Sequence, residues 1–190
     1  TNGSPLKPQE IRSAIFQGRF DTILEQLNTN EAWKKIYRGK QRSLRKSDEE
    51  LILRFFALFY AADQYEKPME NFLNRFMGDN KNLEKYSPET LETLFNTTIT
   101  TIYQSIGDNA FRLIQKRSLF NNAIFDAVMV GVAKNLNHYE ILGLENLAKR
   151  YHDLVQSEMF IRLVTGATTD NEGVRSRIQM AINAFDPKNK

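Results

Sequence analysis

The sequence predicts an all-α fold. Strand-type alternation of apolar and polar residues is nearly absent, and apolar residues return every three or four positions along most of the chain. Two segments far apart, 51–62 and 123–133, are apolar nearly all round, as helices buried on most sides are. Two such helices favour one shared core, so residues 1–190 read as one helical bundle of about eight to ten helices.

Each element has its own local signal. Pro8 suits a first helical position, Ile11, Ala14 and Ile15 share a face, and Gly18 ends that segment. Asp21 can cap a short helix presenting Ile23, Leu24 and Leu27. Asn30 can cap another carrying Trp33, Ile36 and Tyr37, closed by Gly39. Ser47 and Glu50 have capping-box spacing ahead of the first all-apolar helix, in which Arg54 has Glu50 one turn earlier as its expected partner. Pro68 opens a helix bearing Met69, Phe72, Leu73, Phe76 and Met77, followed by an expected long loop over 78–87. Ser87, Pro88 and Glu89 start a long amphipathic helix whose stripe runs from Leu91 to Ile106 and stops at Gly107. After the second central helix comes one marked by Leu144, Leu147, Tyr151, Leu154 and Val155, then an apolar turn, MFIRLV. The last helix carries Val174, Ile178, Ala181, Ile182 and Phe185, and Pro187 stops it.

Composition bounds the chemistry. Apolar residues make up 41% and charged residues 26%, a globular balance, and thirteen phenylalanines with seven tyrosines supply bulk for packing helices. With no cysteine there is no disulfide, no thiolate nucleophile and no cysteine-ligated metal, which fits a reducing cytoplasm. No apolar run approaches the roughly 20 residues that cross a bilayer. The polar start TNGSPLKPQEIR has no signal-peptide core and no initiating methionine, and reads as the edge of a piece of a longer protein.

The candidate sites are few. His138 and His152 stand outside any metal-ligand spacing and read as ordinary surface or hydrogen-bonded histidines. Asp48, Glu49 and Glu50 are accounted for by capping and by the helix dipole. The TGATTD turn at 165–170 lacks the lysine of a phosphate loop and reads as a cap. No metal and no cofactor is expected.

Charge is the most informative polar feature. The net charge is +3, yet seven of the 26 basic residues fall within 34–46, and the rest of the chain is net acidic. Lys34, Lys35, Arg38, Lys40, Arg42 and Arg45, interleaved with Trp33 and Tyr37, suit phosphate contact with base stacking in nucleic acid. The competing reading is a solvated connector whose aromatic residues turn inward.

The opening SPLKPQEIRSAIFQGRF resembles the stretch just after the nuclease-like core in the DGQQR-motif, ParB/sulfiredoxin-like family, which includes the N-terminal part of GmrSD-type restriction enzymes and related phage-defence proteins. Thr1, Gly3 and Leu6 match the tail of that family's F-x-x-x-N-T-x-G-x-x-L segment, and Gln9, Glu10, Ile11 and Arg12 match its QEIR helix. LRKSDEELILRFFAL resembles the family's E-x-x-x-R-F-x-A helix through Glu50, Arg54, Phe55 and Ala57. MENFLNRFM, KRSLFNNAIFDAV and TGATTDNEGVRSRI are similar to further family segments, so the resemblance covers most of the chain. The DGQQR motif itself is absent, and so is the phenylalanine and asparagine half of the first segment. The resemblance therefore implies a helical C-terminal portion that packs on a catalytic core, with DNA as a further partner, and carries no catalytic residue over to any position here. Gln9, Glu10 and Arg12 would lie at the interface with that core, and the parent protein would be a nucleotide-dependent nuclease. The alternatives are a scaffold or oligomerisation domain with no nucleic-acid role and, last, a small-molecule enzyme, for which the sequence furnishes little.

Overall fold

The structure is a computed structural model that describes residues 5–37, 46–113, 119–166 and 168–189, the side chains of 140–142 excepted. Among the described residues there are eleven α-helices and no strand. In order they are α1 (Pro8–Ile15), α2 (Arg19–Leu27), α3 (Glu31–Tyr37), α4 (Ser47–Ala61), α5 (Met69–Asn80), α6 (Pro88–Ile106), α7 (Asn122–Lys134), α8 (Leu136–Leu142), α9 (Leu144–Gln156), α10 (Glu158–Thr165) and α11 (Asn171–Phe185). The count exceeds the expected eight to ten. The MFIRLV stretch closes a full helix, α10, rather than a turn, and α8 fills the short interval before α9. The expected loop over 78–87 is shorter than its sequence suggested, because Gly78, Asp79 and Asn80 continue α5.

The two apolar segments form the centre. Every residue of α7 from Ala123 to Ala133 is buried, and α4 buries Leu51 to Leu58 without a break. The α7–α11 pairing is the most extensive among the described helices, and α4 also packs against α7. Gly131 makes the first of these possible. A Cβ there would lie 2.8 Å from the Ala181 carbonyl carbon, so the two backbones meet only because the side chain is missing. The buried apolar residues form one continuous cluster from Phe20 to Phe185, in which Trp33 packs against Phe95, Phe120 and Phe125.

Caps follow local chemistry in places and depart from it in others. Ser87 accepts from the Thr90 amide at the start of α6, and Asn121 caps α7 through the amides of Ala123 and Ile124. Asn30 accepts from the Trp33 amide, as its spacing predicts. Gly107 ends α6 at φ 80°, a left-handed conformation that glycine adopts without a Cβ clash. Asp21, by contrast, does not cap α2, which begins at Arg19. It is buried and accepts from the Ser13 hydroxyl at 2.7 Å. Ser47 is the first residue of α4 rather than its cap, a position taken by Lys46 at φ 54°.

Candidate functional site

α1 is mounted with its polar face inward. Gln9, Arg12 and Ser13 are buried, while Ile11 and Ile15, the face the sequence marks as apolar, are 42% and 62% exposed, and Leu6 just before them is 65% exposed. The inversion has a specific cause. Arg12 is 2% exposed and its guanidinium is surrounded by acceptors: Nε donates to Gln9 Oε1 at 2.8 Å, Nη1 to Asn74 Oδ1 at 3.3 Å, and Nη2 to Glu50. Burial lowers the Arg12 pKa and the Glu50 carboxylate partly restores it. Directional bonds to a charge are stronger than those between neutral groups, so Arg12 sets which side of α1 faces α4 and α5. Of the three residues that the sequence reading places at an interface with a second unit, Gln9, Glu10 and Arg12, Arg12 is bonded to Gln9, Asn74 and Glu50 within this chain, and Glu10 closes the first turn of α1 by accepting from the Lys7 amide.

Glu50 being committed to Arg12, Arg54 takes a different partner from the one its spacing suggests. It forms a two-point ion pair with Asp126 of α7, and Arg177 of α11 donates to the same carboxylate at 3.0 Å. Asp126 and Arg177 are fully buried and Arg54 is 9% exposed. Burial works against the Arg54 charge, and Asp126 more than offsets it, so its pKa lies above the ordinary value. Arg177 also donates to the Thr168 carbonyl, and the Tyr65 hydroxyl to that of Thr169. Thr168 and Thr169 are thus held through their carbonyl groups, and Asp170 at the start of α11 makes no side-chain cap.

The basic segment divides. Arg38, Lys40, Arg42 and Arg45 lie outside the described residues. Lys34 and Lys35 are exposed on α3, with Lys34 paired to Glu31 at 2.9 Å and Lys35 5.3 Å from the centre of the Tyr103 ring. Trp33 is buried, donating its indole N–H to Asn28 at 2.9 Å, so it is not a stacking platform for bases. Lys46 ends the run by pairing with Glu25 and Glu49. His152 lies 3.1 Å from the Gln156 amide nitrogen on the surface of α9, and no group of three or more potential metal ligands occurs among the described residues.

Among the described residues, fold and site together define an all-helical domain with a buried charge centre and an outward-facing apolar edge on α1. No helix among the described residues is long and apolar enough to cross a membrane. No family model, curated protein or solved structure matches the chain.

Proposed function

We propose that this chain is a one-domain helical docking module of a DGQQR-type restriction or phage-defence protein, and that it seats a nuclease-type core on the outer face of α1. One observation supports this reading most strongly. Ile11 and Ile15 sit one turn apart on an exposed face while the polar side of the same helix is buried and bonded. An exposed apolar helix face is a place where a partner can dock. The resemblance of the QEIR segment to the sequence that follows the catalytic core in that family supplies the occupant. Contact with DNA belongs to the same reading: Lys34 and Lys35 are the described part of a basic segment that would face the phosphates.

The test is sedimentation velocity of the domain mixed with a separately produced DGQQR-type core. The expected result is a joint species that disappears in the Ile11→Asp/Ile15→Asp variant. Self-association of the domain alone, lost in the same variant, would favour the oligomerisation reading. A joint species that survives the double substitution would remove α1 from the account.

A further inference from the structure

α1 is joined to the fold without apolar burial. Every other described helix places at least one apolar side chain in the core, down to Tyr139 of the short α8. The residues that α1 buries are Gln9, Arg12 and Ser13, and its apolar side chains face outward. Burial of apolar surface is the dominant favourable term in folding, so α1 is seated chiefly by polar contacts.

Those contacts return little net free energy. Arg12 gives up its hydration on burial, the largest influence on its lowered pKa, and Glu50 restores only part of it. The Glu50 side chain is 30% exposed, which leaves water to screen the pair. Gln9 Nε2 is buried without a hydrogen-bond partner, a bond that opening would return to water. Ser13 adds one hydrogen bond to Asp21 of α2. An eight-residue helix is also too short to persist by itself, since isolated helices below about 12–15 residues are marginal in water. Release from its seat therefore unfolds α1.

The chain is pinned just beyond this helix. Phe16 packs against Gly78 of α5, and Gly18 abuts Lys81, where a Cβ would lie 2.8 Å from the carbonyl oxygen. The Phe20 amide donates to that same oxygen at 3.1 Å. Opening can thus stop at residues 16–18 while α2 to α11 stay closed.

We infer that α1 is a strap that opens as one unit with the rest of the fold intact, and that the polar seat of Arg12 is the catch that holds it closed. Its use as a switch rests on the docking reading: Ile11 and Ile15 form one face only in the closed helix, so a core seated there selects the closed form.

The test is native-state hydrogen exchange of this chain, followed by NMR across low concentrations of denaturant. The amides of Ile11 and Phe16, bonded to the Lys7 and Arg12 carbonyls, report on α1, and those of the buried Val128 and Met129 on α7. Amides from Ile11 to Phe16 should share one opening equilibrium, with protection about a hundredfold or more below that of α7. That opening should hardly respond to denaturant, because it exposes little surface. Arg12→Lys, which keeps the charge and loses the planar fork, should lower α1 protection about tenfold. Gly131→Ala should lower α7 protection and leave α1 unchanged, since the closed and open forms both contain the α7–α11 contact. Protection of α1 equal to that of α7 and falling with it in denaturant, or unchanged α1 protection in Arg12→Lys, would overturn the strap. Adding a DGQQR-type core should raise α1 protection toward that of α7. A core that leaves protection unchanged in an α1 that opens in the chain alone would overturn the docking reading and leave the strap standing.

Discussion

Arg54 and Asp126, 72 residues apart in the chain, form a two-point ion pair in the interior, with Nε to Oδ1 at 3.0 Å and Nη2 to Oδ2 at 2.5 Å. Arg177 approaches the same carboxylate from α11, so a single acid neutralises part of two buried cations and joins α4, α7 and α11 at one point.

Removing that acid leaves both guanidinium groups buried without their counter-charge. Asp126→Asn should therefore destabilise the fold by about 3–5 kcal/mol. Chemical denaturation measures it, and a loss below about 1 kcal/mol would mean the pair contributes little.

The α7–α11 contact makes an equally local prediction. Gly131→Ala forces a methyl group into the Ala181 backbone, which cannot rotate away as a side-chain tip could. Overpacking of this kind costs about 1–3 kcal/mol. A melting temperature equal to wild type would show that the two helices have room to separate.

Alkaline pH should loosen the domain through Tyr139 and Tyr151. Burial pushes both phenols up to about 12, above their unfolded value near 10. A raised folded-state pKa means the native state holds the proton more tightly. The stabilisation is complete below about pH 10 and is lost as pH rises toward 12. Tyr139 donates to the Phe185 carbonyl at 2.6 Å, a bond only the protonated phenol can make. Melting temperature against pH, with phenolate absorbance recorded in parallel, should fall across that window. Tyr139→Phe should give a lower plateau and a shallower fall, and an unchanged profile in that variant would exclude Tyr139 as a contributor.

Much of the fold was legible in the sequence because burial writes itself as periodicity. The all-apolar runs at 51–62 and 123–133 are the central helices, and Asn30 caps where its spacing says it should. What misled was partner choice. Capping-box spacing pairs Glu50 with Ser47, and helical spacing pairs it with Arg54. Arg12, 38 residues away, outcompetes both because it arrives as a buried charge in need of a counter-ion. The same contact turns α1 over, so a helix whose apolar stripe reads as core presents that stripe to solvent. No local pattern in the sequence signals such a long-range event.

DNA contact through the basic segment predicts affinity that falls steeply with salt, since binding at phosphates releases counterions. Fluorescence anisotropy over a salt series should show this, with Lys34→Ala/Lys35→Ala weakening binding while base sequence matters little. No binding at low salt would reduce Lys34 and Lys35 to solvated residues paired with Glu31 and Tyr103.

The most direct test of the docking account uses the absence of cysteine from the chain. Ile15→Cys places a single thiol on the outer face of α1, and Leu119→Cys places one at a site 89% exposed elsewhere. The rate of thiol alkylation is measured with and without a DGQQR-type core. The account predicts that the core slows alkylation at position 15 severalfold and leaves position 119 unaffected. Equal rates at position 15 with and without a bound core would contradict it.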